Sequence, residues 1–175
     1  MYTDILILSA LHRRPQHGYE IKKSLESLFG GFLTLTNSML YPALQRFEEM
    51  GAVQRVVLRQ EGKPDRHIYH LTDRGIAIML DLMRDFPPEV AKREAEFLVR
   101  VAFFDLLDPQ ERLDILKTRQ GVLSRRQANI PRMKETLYGM GRLPFVGHVL
   151  TFREHQFQLE LDWIEALIQE QQRLL

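Results

Sequence analysis

Six histidines, at positions 12, 17, 67, 70, 148 and 155, are the side chains of this 175-residue chain best suited to hold a metal or carry a proton. Their spacing argues against both roles. His67 and His70 are an odd number of positions apart in a strand-like segment, so they face opposite sides of a sheet. His148 and His155 share a helix face but stand about two turns apart, too far for simple co-ligation of one metal. No Gly-x-Ser-x-Gly elbow, phosphate-cradling glycine loop or zinc-binding helix motif is present. The chain contains no cysteine, which removes thiolate sites and disulfides and suits a reducing cytosol. We therefore expect no catalytic residue, no metal, no cofactor and no enzyme activity. Amide and cationic side chains offer a different chemistry. Gln45 and Arg46 are base-reading types: Gln bonds adenine in two places and Arg does the same with guanine. Asn37, Ser38, Met39, Tyr41 and Pro42 precede them on the outward side of the same candidate helix. Arg55, Arg59, Lys63 and Arg66 cluster around a turn-forming Gly62 and Pro64, while Lys22 and Lys23 are available for phosphate.

Elements that would position these residues follow from apolar periodicity. Thr3-Asp4 suggests a cap before Ile5, Leu6, Leu8 and Leu11, and Pro15 stops that helix. A second helix over 18–29 places Tyr19, Ile21, Leu25 and Leu28 inward, and Gly30-Gly31 closes it. A third, capped near Asn37-Ser38 and running to about Met50, has the inner stripe Leu40, Leu44 and Phe47. The period then changes. Residues 52–59 and 66–71 read as two strands around a turn at 60–65. Thr72-Asp73 caps a fourth helix carrying Ile76, Met79, Leu80 and Met83, which ends before Pro87-Pro88. Three helices, a hairpin and a helix are the order of a winged helix-turn-helix. We place that domain at 1–86.

Residues 87–175 read as all helix: one over about 89–107, then one opening at Asp108-Pro109 with Leu113, Leu116, Leu123, Ile130 and Leu137, which Pro131 should kink or break. A loop with Gly139, Gly141 and Pro144 leads to a last helix with Val149, Phe152, Leu159, Trp163 and Ala166 near a heptad repeat. Gln120, Gln127 and Gln156 fall in the seam. Such an antiparallel pair packs on itself or on a partner chain. The expected fold is mainly α with a small β-hairpin: a winged helix-turn-helix followed by an all-α antiparallel helical dimerisation domain.

Three motifs, His17-Gly18-Tyr19-Glu20-Ile21, Leu40-Tyr41-Pro42-Ala43-Leu44 followed by Glu48-Glu49-Met50-Gly51, and Tyr69-His70-Leu71-Thr72-Asp73-Arg74-Gly75, occur in an order and with gaps that resemble the PadR family of bacterial regulators. The second half is similar to the helical C-terminal domain of virulence-activator-like members, through residues 96–103 and 161–164. Ser38 and Met39 stand where many relatives have Gly and then Thr or Ser, which bears on the DNA sequence read. The resemblance implies a cytoplasmic homodimeric transcription regulator, by family default a repressor, on a near-palindromic double-stranded operator. The helix at about 38–50 would enter the major groove and the wing at about 59–66 would lie on the backbone or in a minor groove. Dimerisation is expected through Phe97, Val101, Phe104, Leu113, Leu116, Leu123, Phe152, Leu159, Trp163 and Leu167. Phe97, Phe103, Phe104, Phe152 and Trp163 could line a site for a small aromatic effector at that interface, or be core.

Charge does not decide the matter: 24 Lys and Arg against 23 Asp and Glu give a net charge of +1. That disfavours indiscriminate coating of DNA and permits a local basic face. No apolar run is long enough to span a bilayer. The competing reading is a winged-helix protein-interaction module that does not read DNA.

Overall fold

Helix α1 (Tyr2–Arg13) is the hub of the N-terminal unit because its residues 5–11 are all buried, a helix apolar on every side. In the computed structural model, which describes residues 2–30, 33–59, 66–140 and 145–175, the chain divides into two compact units: 1–85 with 98–106, and 86–97 with 107–175. The unit also holds β1 (Gln16–His17), α2 (Gly18–Phe29), α3 (Asn37–Glu49), β2 (Val53–Leu58), β3 (Arg66–Leu71) and α4 (Asp73–Arg84), of which α2, α3, β3 and α4 pack on α1. The three strands form an antiparallel sheet ordered β1-β3-β2, with Val53 opposite Leu71 and Gln16 opposite Tyr69. The expected hairpin is present. The short β1, with no alternating pattern of its own, is an addition to it.

Caps set the helix ends. Gly30 closes α2 in the left-handed region (φ 54°), where glycine has no steric penalty. Thr72 Oγ1 accepts from the Gly75 amide at 3.1 Å and donates to the Gly51 carbonyl at 2.8 Å, so one hydroxyl caps α4 and ties it to the hairpin root. Gly75 sits so close that a Cβ there would stand 2.1 Å from the Ala52 carbonyl oxygen. Two expected caps move by a residue or more: α1 already begins at Tyr2, ahead of Thr3-Asp4, and α3 is capped by Thr36, whose carbonyl receives the Met39 and Leu40 amides. Leu40, Leu44 and Phe47 are buried as expected. Tyr19 and Leu28, expected inward on α2, are exposed; the buried residues of that helix are Gly18, Ile21 and Leu25.

The single helix expected over 89–107 is instead α5 (Pro88–Ala91), α6 (Glu94–Ala102) and a 3₁₀ turn, Phe104–Leu106. The break is a competition for carbonyls. Ala91 and Lys92 oxygens, which a continuous helix would give to amides four residues on, accept from the guanidinium groups of Arg119 and Arg126. In the N-terminal unit Arg100, fully buried, bonds the Leu82, Met83 and Asp85 carbonyls at 2.9–3.0 Å, satisfying the C-terminal end of α4.

Helix α7 (Pro109–Met140) is opened by a reciprocal capping box between Asp108 and Glu111, and runs on through Pro131 without the expected break. Proline costs it one backbone hydrogen bond, while Ile130 next to it stays buried. Helix α8 (Val146–Gln172) lies antiparallel to α7, as cross-links running in opposite senses show: Arg112–Gln171, Arg119–Glu160 and Lys134–Glu154. Its inward face is Leu150, Ile164, Ile168 and Gln171, not the expected seam.

Candidate nucleic-acid interface

Helix α3 separates its residues cleanly. Leu40, Ala43, Leu44 and Phe47 face the core, which leaves Asn37, Ser38, Met39, Tyr41, Pro42, Gln45 and Arg46 exposed together along the opposite side. Pro42 is the sixth residue of the helix, past its first turn, so α3 forgoes one backbone hydrogen bond there. The N-terminal half of the exposed face carries hydroxyls, an amide, a thioether and a phenol, and no charge. Charge begins at Arg46, and this guanidinium is turned back onto α1, where it meets Asp4 at 2.5 Å and lies over the Phe47 ring. Gln45 donates to Glu49 at 3.1 Å. The two side chains that sequence reasoning singled out for base reading are therefore both occupied by acids, at an exposed site where such contacts are worth about 0–1 kcal/mol.

The remaining cations sort by partner. Lys22 pairs with Glu26 at 3.7 Å and Arg55 with Glu48 at 3.1 Å. Lys23, Arg59 and Arg66 are exposed, and no carboxylate among the described residues stands within ion-pair distance of them. Lys63, Gly62 and Pro64 lie outside the described residues, so the wing is seen here as its two strands.

Between α2, Tyr41 of α3 and strand β3 lies a cleft of about 850 Å³, lined among others by Arg14, His17, Tyr19, Lys23, Tyr41 and Arg66. Sequence reasoning passed over Arg14, His17 and Tyr19 as site residues, although the motif containing His17-Gly18-Tyr19 was the signal that could have found them. The Glu20 carboxylate at its edge accepts from the His17 amide at 2.9 Å. That bond first, and then the nearby imidazole of His17 and guanidinium groups of Arg14 and Arg66, hold its carboxyl below the usual glutamate range. Burial pushes the Tyr69 phenol up.

The ten residues expected at a dimer interface separate into three kinds. Phe97, Leu113, Leu116 and Leu123 are buried within their own chain. Val101, Phe104 and Leu167 are half-buried. Phe152 (60% exposed), Leu159 (72%) and Trp163 (39%) present apolar surface to solvent, in line with Val149 (57%). Phe97 stacks on Phe86 and meets Trp163 edge-on, with Arg119 over its ring, so it is core and not a pocket wall. Phe103, buried against Phe29 and Arg13, is core of the N-terminal unit. Gln120 and Gln127 bond Glu165 and Gln158 of α8, whereas Gln156 is exposed and bonds Arg153 of its own helix.

Among the described residues no group of His, Asp and Glu is arranged to hold a metal, and no helix is long and apolar enough to cross a membrane. Residues 7–79 match the model of the transcriptional regulator PadR-like family. Over 171 residues the chain is 29% identical to the negative transcriptional regulator PadR of Bacillus subtilis, covering 93% of each. Among solved structures it is similar to Bacillus subtilis PadR in complex with operator DNA, at 23% identity and a TM-score of 0.46 over 96% of both chains. It is also similar to the same protein in complex with p-coumaric acid, at 21% identity and a TM-score of 0.43, covering 98% of this chain and 99% of that one.

Proposed function

We propose that this chain, whose residues 7–79 form a domain of the transcriptional regulator PadR-like family, is a cytoplasmic, homodimeric, sequence-specific DNA-binding repressor and not an enzyme. Residues 1–86 read DNA and residues 87–175 join two copies. The observation that carries the reading is the exposed, uncharged N-terminal half of α3, set between α2 and the hairpin in helix-turn-helix order. Such a face suits the major groove, whose base edges are read by hydrogen bonds and methyl contacts and not by net charge. Asn37, Ser38, Met39, Tyr41, Pro42 and Gln45 are the groove-facing set. Arg46 contributes there only by leaving Asp4. Lys22 and Lys23 on α2, with Arg59, Lys63 and Arg66 on the wing, supply phosphate contacts whose strength falls with salt.

One such domain spans few base pairs, so specific binding takes two, about a helical turn apart on a near-palindrome. The apolar line Val149, Phe152, Leu159 and Trp163 supports the partner: on an otherwise packed helix pair it is the surface a second copy would cover. The relative from Bacillus subtilis is a negative regulator, which supports repression, and its complex with p-coumaric acid supports a small aromatic effector at the dimer interface of this chain also. The test is fluorescence anisotropy of the full chain on DNA from upstream of its own gene against a scrambled duplex, over a range of salt. Nanomolar, salt-dependent binding that prefers the upstream duplex is expected. Failure to bind either duplex at low salt would favour a protein-interaction module.

A further inference from the structure

The sequence of α3 holds one cation, Arg46, and the fold turns it away from the groove-facing side. Its guanidinium crosses to α1, where it meets the Asp4 carboxylate at 2.5 Å and lies over the Phe47 ring, 5.0 Å from the centroid. Asp4 is not the cap of α1 that its place after Thr3 suggests, because that helix already begins at Tyr2. Gln45 is held differently. Its partner Glu49 lies one turn on in the same helix, at 3.1 Å, so the amide is steadied on α3 and not withdrawn from it. A carboxylate only accepts, so Gln45 spends one N–H of Nε2 on Glu49. The other N–H and Oε1 are left unclaimed by that bond. They are the donor and acceptor with which a glutamine meets N7 and N6 of adenine.

The outward face of α3 thus presents Asn37 and Gln45, amides suited to adenine, and Met39 and Pro42, apolar surface suited to the thymine methyl. Its one guanine reader is engaged elsewhere. We propose that Asp4 is a positioning residue for base specificity: it holds Arg46 off the groove, so that the half-site under α3 is read as A·T pairs and a guanine there goes largely unrewarded. The assignment rests on the reading of this chain as a DNA binder, and adds to it a base class and a residue outside the reading helix. Magnitudes support it. An exposed ion pair together with an exposed cation–ring contact amounts to about 3- to 30-fold in an equilibrium. A bidentate Arg–guanine pair returns about 5- to 150-fold. Releasing Arg46 therefore consumes a large part of what guanine returns, whereas Gln45 meets adenine without leaving its partner on α3.

The experiment selects half-sites from randomised duplexes with the full-length wild type, Asp4→Asn, Arg46→Ala and the double variant. Fluorescence anisotropy then ranks each enriched duplex against its single-base substitutions. Wild type and Arg46→Ala are expected to enrich the same A·T half-site, with no Arg46-dependent preference for guanine above about threefold. Asp4→Asn should add a guanine at one position, preferred over the wild-type level by about two- to fivefold per half-site and by the square of that across a near-palindrome. The double variant should lose that guanine again, a dependence that a purely structural role of Asp4 would not produce. Asp4→Ala, which removes the carboxylate by another route, should gain the same guanine and guards against a folding effect of one variant. A wild-type guanine preference above about threefold that disappears in Arg46→Ala would overturn the proposal, because Arg46 would then read in spite of Asp4. So would half-sites in both Asp4 variants identical to that of wild type, and in either case the DNA reading would stand. Absence of any enrichment by the wild type would overturn that reading and the proposal together.

Discussion

Helices α3 and α8 each turn one face inward and leave the other uncovered, and the uncovered faces are chemically opposite. On α3 it is Asn37, Ser38, Tyr41 and Gln45, groups that are content in water and give up their hydration only for hydrogen bonds of matching geometry. On α8 it is Val149, Phe152, Leu159 and Trp163, which have no such compensation in water. Full burial of a side chain of this size is worth about 1.5–3 kcal/mol. The first face can wait unoccupied at no cost and select its ligand by pattern. The second is driven toward cover by area alone. On the proposed function, specificity and assembly fall to different helices by side-chain type.

The same substitution placed on the two helices should break this contrast most visibly. Leu44→Asp buries a charge in the core of α3 and should unfold the N-terminal unit, a loss of about 4 kcal/mol or more; circular dichroism melts would show it, and a native-like melt would contradict the packing. Leu159→Asp with Phe152→Asp on the uncovered line of α8 should leave helix content intact. It should weaken self-association at least a hundredfold, from about 3–6 kcal/mol of lost burial; sedimentation velocity would read it, and an unshifted dimer would place the interface elsewhere. Gln45→Ala, on the open face of α3, should change neither fold nor assembly. Its effect should be about 1–3 kcal/mol less discrimination at one base position, seen in binding across single-substituted operators.

The smallest effect concerns Glu20. Its carboxyl titrates below the usual glutamate range because the charged form accepts from the His17 amide. A depressed folded-state value means that its contribution is present above the unfolded value and is lost as pH falls through the folded one. The stability difference between wild type and Glu20→Gln should therefore be level near neutrality and change only in acid. A difference that varied between neutral and alkaline pH would argue against this origin.

Much of the first unit was legible because its signals are local. The 18–29 helix, the Leu40, Leu44 and Phe47 stripe, the hairpin and the Thr72 cap each follow from residues a few positions apart. What periodicity could not see was the effect of distant charge. The inward face of α8 includes Glu154 and Glu160, admitted there because Lys134 and Arg119 meet them from α7. An apolar count therefore picked the cleaner stripe, 149 to 166, which faces out. Arg119 and Arg126 divide α5 from α6 from 28 and 34 residues away along the chain. Arg46 is withdrawn toward Asp4 from 42 residues away, and so looked more available in sequence than it is in space. For the candidate site the outward face of α3 was legible, and the cleft was not. Its cations belong to three elements and share no spacing.

Contact between Gly75 and the Ala52 carbonyl, doubled by the Thr72 hydroxyl, makes the root of the hairpin a joint without play. A displacement of the hairpin root is therefore expected to move the first turn of α4 with it. The far end of α4 is clamped through three carbonyls by Arg100. Loss of that clamp, as in Arg100→Met, is expected to loosen the C-terminal end of α4 while the hairpin root stays packed on its first turn.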